Sequence, residues 1–149
     1  MVQVAGRAGR AEAPGLVLLQ TFSPEHPVMQ ALVGGDLADF MASEAAVRRP
    51  GNWPPYGRLA ALIVSADSAA AADALAREVG MRAPHGDGVT VLGPAPAPLA
   101  ILRGRHRRRL LLKTRRDVAV QPILRDWLGK VTVPRGGRVD LDVDPISFL

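Results

Sequence analysis

Hydrophobic positions in the first third of the chain predict one strand and two helices. The apolar run at residues 16–21 has the length of a short buried strand. Two segments with helical spacing follow. Ser23 is the predicted N-cap of the first, with Pro24 in the first turn, and this helix stops at a Gly-Gly pair after residue 33. Asp36 is the predicted cap of the second, at residues 37–48. The next segment is rich in proline and glycine, which cannot continue a helix. We therefore divide the chain into residues 1–50, a linker at residues 51–57 and a second part at residues 58–149.

The second part of the chain has the predicted element order β-α-β-β-α-β. Its predicted strands cover residues 59–65, 89–92 with 99–103 beyond a proline-rich break, 107–113, and 138–144. Its predicted helices run from Asp67 or Ser68 to residue 79 and from Asp117 or Val118 to residue 128. A tight turn at Arg103-Gly104-Arg105 joins the second and third strands into a hairpin. Both helices bury their apolar stripes most simply on one face of an antiparallel sheet, so we expect an α+β fold with the ferredoxin-like split arrangement.

Positive charge is concentrated in the second part of the chain. The net charge of +5 comes from 17 arginines and only 2 lysines, and residues 103–116 hold eight basic residues and no acidic one. Guanidinium groups bind phosphate oxygens through parallel hydrogen bonds, so this segment indicates an anionic partner. The open alternative is an arginine-rich face that is only solvated.

Strand alternation separates this basic segment into two faces. One face, together with Arg103 in the turn, is our predicted nucleic-acid-binding surface. Its basic residues are Arg105, Arg107, Arg109 and Lys113. Arg108 points to the apolar face instead, so either the edge of the sheet leaves it in water or the predicted register is wrong.

Several classes of chemistry are excluded by composition. The chain has no cysteine, which excludes disulfides, thiolate zinc sites and cysteine nucleophiles. The three histidines show no metal-ligand spacing, and we expect His26 to cap or pack rather than to act as a base. No apolar run approaches the roughly 20 residues of a membrane span, and we expect a cytoplasmic protein.

Two smaller groups of residues have competing interpretations. Asp140, Asp142 and Asp144 alternate on the last strand, where we expect a solvated edge or a balance to nearby arginines rather than a divalent cation site. Trp53 and Tyr56 in the linker are expected to cover the join between the two parts. The alternative is that these rings stack on nucleic-acid bases.

The opening segment has the most specific spacing of the chain. Residues 3–10 read Gln-Val-Ala-Gly-Arg-Ala-Gly-Arg, in which two glycines bring the backbone close to a ligand. Arg7 and Arg10 point the same way, and Gln3 adds an amide donor. This arrangement suits a terminal phosphate, because such arginines neutralise charge in a nucleotide-hydrolysis transition state. A flexible basic loop is the open alternative.

This segment resembles the last conserved motif of superfamily 2 helicases. Further segments, in matching order and spacing, resemble the C-terminal part of the primosomal protein N′ family, the replication restart helicases called PriA. They are residues 19–27, the stretch from Arg48-Arg49 to Pro54-Pro55-Tyr56, Val91-Leu92-Gly93-Pro94, and Asp142-Val143-Asp144-Pro145. The resemblance covers the whole chain, and the composition rich in arginine and alanine suggests an actinobacterial-type member.

The resemblance implies that residues 1–50 finish the second RecA-like lobe of an ATP-dependent 3′–5′ DNA helicase. Gln3, Arg7 and Arg10 would contact the γ-phosphate of ATP, which such helicases bind with magnesium. The chain contains no G-x-x-x-x-G-K-[ST] loop and no D-E-x-H segment, and the paired zinc cysteines of the family are absent. We therefore expect no bound cofactor and no ATP hydrolysis by the chain alone. Because Met1 directly precedes the motif, we interpret the chain as a C-terminal fragment.

The resemblance also implies that residues 58–149 form the C-terminal domain of the family, which binds branched DNA and docks partner proteins. The expected partners are forked or single-stranded DNA, the tail of single-stranded DNA-binding protein and other primosome proteins, with no membrane. In the family, a basic side chain and a glutamine hold that tail. Gln121 fits the glutamine, whereas the basic position falls near Asp117, so Arg115 or Arg116 would substitute.

Two alternative functions stay open at this point. The chain could be a stand-alone basic α+β module that binds RNA or a ribosomal partner without catalysis. It could also be a structural remnant, in which residues 1–50 cannot pack without the rest of their lobe.

Overall fold

A computed structural model describes residues 16–145 of the chain. It divides the chain into two compact units, with the boundary between Ala46 and Val47. Among the helices of the described residues, none has the length and apolar character needed to cross a membrane.

The described part of the first unit, residues 16–46, is helical. Its helices are α1 (Pro27–Gly34) and α2 (Leu37–Arg48), the second of which ends just beyond the boundary. Gly35 ends α1 with a φ of 78°, a left-handed conformation that glycine adopts without strain. Residues 16–21 do not form the predicted strand. A strand needs hydrogen bonds from a neighbour, and the described strands pair only with one another.

The N-terminus of α1 differs from the prediction. His26, rather than Ser23, is the N-cap residue, and its Nδ1 atom accepts a 3.3 Å hydrogen bond from the amide of Val28. Proline is favoured in the first helical turn, and Pro27 rather than Pro24 occupies that position. The predicted cap at Ser23 is wrong, and the capping role expected of His26 is confirmed.

The second unit has the predicted order β-α-β-β-α-β. Its elements are β1 (Gly57–Ala66), α3 (Ala69–Met81), β2 (Val89–Leu102), β3 (Arg105–Arg115), α4 (Val120–Gly129) and β4 (Arg138–Val143). The four strands form one antiparallel sheet in the order β2-β3-β1-β4. The α+β class and the split arrangement are therefore confirmed. The assignment of residues 1–50 to a helicase lobe stays a prediction.

β2 is one continuous strand rather than two strands around a break. Its register with β3 shifts at two places, the first near Gly93 and the second after Pro96. Gly93 has a φ of 100°, and a Cβ atom there would lie 2.7 Å from the carbonyl oxygen of Arg109. Prolines lack the amide donor of a ladder, but an edge strand tolerates them because half of its amides point away from the sheet. The predicted break is thus a pair of irregularities in an edge strand.

One face of the sheet packs against α3 and α4. The buried residues of this core alternate along β1 and β3 and recur at helical spacing in α3 and α4; they are Ala60, Leu62, Val64, Leu75, Ala76, Val79, Leu110, Leu112, Val120, Leu124 and Trp127. The indole Nε1 of Trp127 donates a 2.9 Å hydrogen bond to the carbonyl oxygen of Val79, which joins α4 to α3. Each large apolar side chain contributes roughly 1.5–3 kcal/mol when fully buried, so this core is the main source of stability of the second unit.

The connections around this core follow the sequence in part. Of the two predicted candidates, Ser68 rather than Asp67 caps α3, since its Oγ accepts a 3.2 Å hydrogen bond from the amide of Ala71. Arg103 and Gly104 have φ values of 51° and 76°, the two positive values that a type I′ hairpin turn requires.

The start of α4 differs from the prediction. The helix begins at Val120, not at Asp117 or Val118, and Ala119 caps it without a side-chain hydrogen bond. The carboxylate of Asp117 accepts hydrogen bonds from Arg115 instead, so it does not cap the helix.

Candidate nucleic-acid interface

One face of the sheet is covered by neither α3 nor α4. Leu110 and Leu112 point into the helical core, so the odd-numbered residues of β3 point to the opposite face, which we call the outer face. Arg107, Arg109 and Lys113 lie on this outer face and are half-buried. The structure therefore brings three of the five predicted nucleic-acid-binding residues together in one row.

Arg103 lies at the end of that row, in the exposed turn before β3. Its backbone conformation is set by the hairpin turn. Within the described residues, no carboxylate pairs with the Arg103 side chain. Its position extends the row of positive charge beyond the end of the strand.

Arg105, which was predicted to belong to the same row, is held by the protein itself. Its guanidinium donates hydrogen bonds to the carboxylate of Asp67 and to the carbonyl oxygens of Ser65 and Gly136. Those groups lie at the end of β1, before α3 and before β4. Arg105 therefore fastens three connections at one end of the sheet, and its charge is compensated.

Arg108 points toward the helices, and the structure explains how it is tolerated there. Its Nε donates a 2.6 Å hydrogen bond to Oδ1 of Asp73 on α3, and its side chain is only 16% exposed. This hydrogen bond is the main reason that the pKa of Asp73 lies below its ordinary value of 3.8. The predicted register is therefore correct, and Arg108 is paired rather than exposed at a wet edge.

Lys113 is positioned by an aromatic residue of the linker. Its Nζ lies 4.9 Å from the centroid of the Trp53 ring, within the range of a cation–π interaction. Tyr56 makes the same kind of contact with Arg49, also at 4.9 Å. Trp53 therefore lies beside the outer face and holds the ammonium group of Lys113 in place.

The predicted partner-binding residues differ in their surroundings. Arg115 donates hydrogen bonds to Asp117 at 3.2 Å and to Asp87 at 2.7 Å, and these bonds raise the pKa of Arg115. The bond from Arg115 in turn lowers the pKa of Asp117. Arg116 is exposed and donates a 3.0 Å hydrogen bond to the carbonyl oxygen of Pro55. Gln121 is exposed in the first turn of α4. Arg115 is thus compensated by two carboxylates, whereas the partner that the described residues provide for Arg116 is a carbonyl group.

Two of the three aspartates on β4 and at its end form ion pairs with arginines. Asp140 pairs with Arg138 at 2.6 Å, and Asp144 pairs with Arg58 at 2.6 Å. The hydrogen bond from Arg58 is the main cause that lowers the pKa of Asp144. Both pairs fit the expected balance to neighbouring arginines.

The predictions about metal and nucleotide contacts can be compared with the structure only for residues 16–145. Between residues 16 and 145, no three histidine, aspartate or glutamate side chains are close enough together to hold a metal ion. Gln3, Arg7 and Arg10 lie outside the described residues, and their contact with ATP stays a prediction.

The fold and this interface first define a class: a small α+β domain with a split antiparallel sheet, both helices on one face and a basic row on the other. Residues 49–146 match the family described as "Primosomal protein N C-terminal domain". The chain belongs to this family, which also confirms the resemblance seen in its motifs.

Similar proteins are named "Replication restart protein PriA". Those of Treponema pallidum and Rickettsia conorii are 37% and 34% identical over 156 and 146 residues, which cover 100% and 98% of this chain and 23% and 22% of those proteins. That of Bacillus subtilis is 34% identical over 130 residues, which cover 86% of this chain and 16% of that protein. The chain thus spans about a fifth of the length of these relatives.

Proposed function

We propose that this chain binds the phosphate backbone of branched DNA through the outer face of β3 and serves in replication restart. The observation that carries the proposal is the row of Arg107, Arg109 and Lys113 on a face that neither helix covers. The relatives' name, replication restart protein, supports the role in replication restart, and DNA at halted replication forks is the ligand that we propose for that role.

The spacing of the row suits one phosphate backbone. Alternate residues of a strand are about 7 Å apart, so the row from Arg107 to Lys113 extends over roughly 20 Å. Contacts with phosphates position a protein on nucleic acid but carry no sequence information. Binding should therefore depend on the structure of the DNA and on salt, not on base sequence.

Ion pairing inside the domain supports this choice of residues. Arg105, Arg108 and Arg115 are engaged by carboxylates, so the eight basic residues of the segment do not all face a ligand. Lys113 contacts the neutral ring of Trp53, and this contact does not neutralise the positive charge of the lysine. The proposed contacts are the basic residues that share the outer face, Arg107, Arg109 and Lys113, with Arg103 in the turn, and Arg105 is a scaffold.

The test is fluorescence anisotropy of labelled forked DNA, single-stranded DNA, blunt duplex and an RNA stem-loop across a salt series. We expect tightest binding to the fork, which weakens steeply as salt rises. Tighter binding to the RNA stem-loop would instead favour the RNA-binding alternative.

Charge reversal identifies the surface. Arg107→Glu with Arg109→Glu should abolish most binding at low salt. The matched control is Arg77→Glu with Arg125→Glu, which makes the same change of charge at exposed positions of α3 and α4. Equal losses in both double variants, with native circular dichroism, would overturn the assignment of the outer face.

A second part of the proposal concerns docking of the tail of single-stranded DNA-binding protein. Pro54, Pro55 and Leu59 line a cleft of about 310 Å³ together with Arg116, which combines apolar walls with a basic group. We assign the basic contact to Arg116, because Arg115 is held by Asp87 and Asp117. Gln121 is the proposed amide contact.

A peptide copy of that tail tests this docking proposal. Arg116→Gln should weaken peptide binding several-fold, and Arg115→Gln serves as the control at the neighbouring position. A loss confined to Arg115→Gln would show that the basic contact has been assigned to the wrong residue.

For the opening motif, we propose that Gln3, Arg7 and Arg10 contact the γ-phosphate of ATP that a separate P-loop lobe binds with magnesium. The chain itself carries no P-loop sequence, so it should not hydrolyse ATP by itself. Measurable ATP turnover by the purified chain, with or without DNA, would contradict this.

A further inference from the structure

The outer face carries charge of opposite sign on two of its strands. β1 lies between β3 and β4, and its Ile63 pairs with Arg109 on one side and with Asp140 on the other. One row further along the sheet, Ala61 pairs with Leu111 and with Asp142. Residues paired in this way share a face, so Asp140 and Asp142 stand on the same face as the basic row. They are two strands away from it, at about 10 Å.

Asp142 is the member of this acidic pair without compensation. Asp140 is bound to Arg138, whose Nε lies 2.6 Å from its Oδ1. Asp142 is exposed, and it makes no hydrogen bond or ion pair with any residue between 16 and 145. The negative charge of Asp142 therefore repels any phosphate group that lies over β4.

We propose that Asp142 confines nucleic acid on the outer face to a single phosphate backbone, so that this face selects a single strand over a duplex lying across it. The inference rests on the proposed function and specifies which arm of a branched DNA this surface takes. The grooves of B-DNA separate its two backbones by about 6–12 Å, close to the distance between β3 and β4. If one backbone follows the basic row, the second backbone of a duplex comes to lie over Asp142.

The expected selectivity follows from distance. Repulsion between a phosphate and a carboxylate about 4 Å apart in water weakens binding about fivefold. For a single strand that stays on β3, about 10 Å away, the same repulsion weakens binding by at most about twofold even without screening, because it falls inversely with distance. Salt lowers it further. Removal of the charge at Asp142 should therefore help duplex binding much more than single-strand binding.

Asp142→Asn tests this in the full chain, with anisotropy of a labelled single strand and a labelled blunt duplex at low salt. We expect the variant to bind the duplex about fivefold more tightly and the single strand less than twofold more tightly. The matched control is Asp126→Asn, which makes the same change of net charge on α4, on the opposite side of the sheet. The control should raise both affinities equally and by less than about twofold.

The outcomes separate this inference from the proposed function. Nucleic-acid binding by the wild type with equal gains for both ligands, or with no gain, would overturn the role of Asp142 and leave the proposed function standing. Absence of binding by the wild type to any nucleic acid would overturn both. A selective gain for the duplex that disappears at 0.5 M salt would confirm an electrostatic barrier on β4.

Discussion

The division of the arginines into scaffold and ligand contacts can be tested with one pair of substitutions, Arg105→Gln and Arg107→Gln. Both remove one positive charge from β3, and the two residues are only one strand repeat apart. Arg105 is bound by Asp67 and by two carbonyl groups, whereas Arg107 makes one long hydrogen bond of 3.5 Å to the carbonyl oxygen of Leu99. The two variants should therefore fail in different ways.

Arg107→Gln should change the salt dependence of DNA binding. Each phosphate contact with a single strand contributes about −0.7 to the slope of log K against log salt, so four contacts predict a slope of about −2.8. Eight contacts, one for each basic residue of the segment, would give about −5.6. Loss of one contact makes the fall in affinity between 50 and 200 mM salt about 2.6-fold smaller.

Arg105→Gln should instead lower stability. The Arg105 side chain is 36% exposed and that of Asp67 is 73% exposed, so their ion pair is screened by water. We expect a loss of about 1 kcal/mol, because the carbonyl group of the buried Ser65 also loses a donor. For a domain of about 100 residues this corresponds to a fall in melting temperature of roughly 4–8 °C.

The assays are anisotropy titrations of a labelled single strand at five salt concentrations and thermal unfolding by circular dichroism. Arg105 would be a ligand contact and not a scaffold if Arg105→Gln reduced the slope as much as Arg107→Gln does while its melting temperature stayed unchanged. A wild-type slope near −6 would also contradict it, because the paired arginines would then be contacting phosphates.

Three further predictions concern stability. The hydroxyl of Thr114 is buried and has no hydrogen-bond partner among the described residues, so Thr114→Val should raise the free energy of unfolding by about 1 kcal/mol in urea titrations; a decrease would show that the hydroxyl has a partner. Trp127→Phe should lower the free energy of unfolding by about 2–3 kcal/mol, because it removes the hydrogen bond to Val79 and leaves a cavity. Urea unfolding followed by far-UV circular dichroism measures this change, and a loss below about 1 kcal/mol would contradict the prediction. Arg108 lowers the pKa of Asp73, so ionised Asp73 stabilises the fold above the unfolded-state pKa of about 3.9, and that contribution disappears as the pH falls through the lower folded-state pKa. The difference in urea midpoint between the wild type and Asp73→Asn should therefore be constant above about pH 5 and should disappear in stronger acid. A difference that persists at about pH 2 would be evidence against the pairing.

Local patterns were sufficient for the order of elements in the second unit. The alternation around Leu62 and Leu110 and the helical spacing around Leu75 and Leu124 identify strands and helices because each pattern repeats within one element. The turn at Arg103-Gly104 was also identified correctly, and the cap of α3 was narrowed to Asp67 or Ser68, since a cap and a type I′ turn depend on residues close in sequence.

The errors occurred where a segment depends on a distant neighbour. Residues 16–21 have strand-like composition but no strand beside them among the described residues. β2 is continuous across its prolines because β3 supplies hydrogen bonds on one side only, which composition does not reveal. His26 and Pro27 outcompete Ser23 and Pro24, a choice between two similar local signals.

The candidate interface shows the same limit for charge. Strand alternation placed Arg107, Arg109 and Lys113 on one face of β3, and that face is found in the structure. It gave Arg105 the same role and could not account for Arg108, because their partners Asp67 and Asp73 lie 38 and 35 residues away in sequence. Periodicity reports the direction of a side chain, whereas compensation of its charge depends on contacts between distant elements. Only the packing of α3 and of the connection before β4 against the sheet determines which arginines are available to a phosphate.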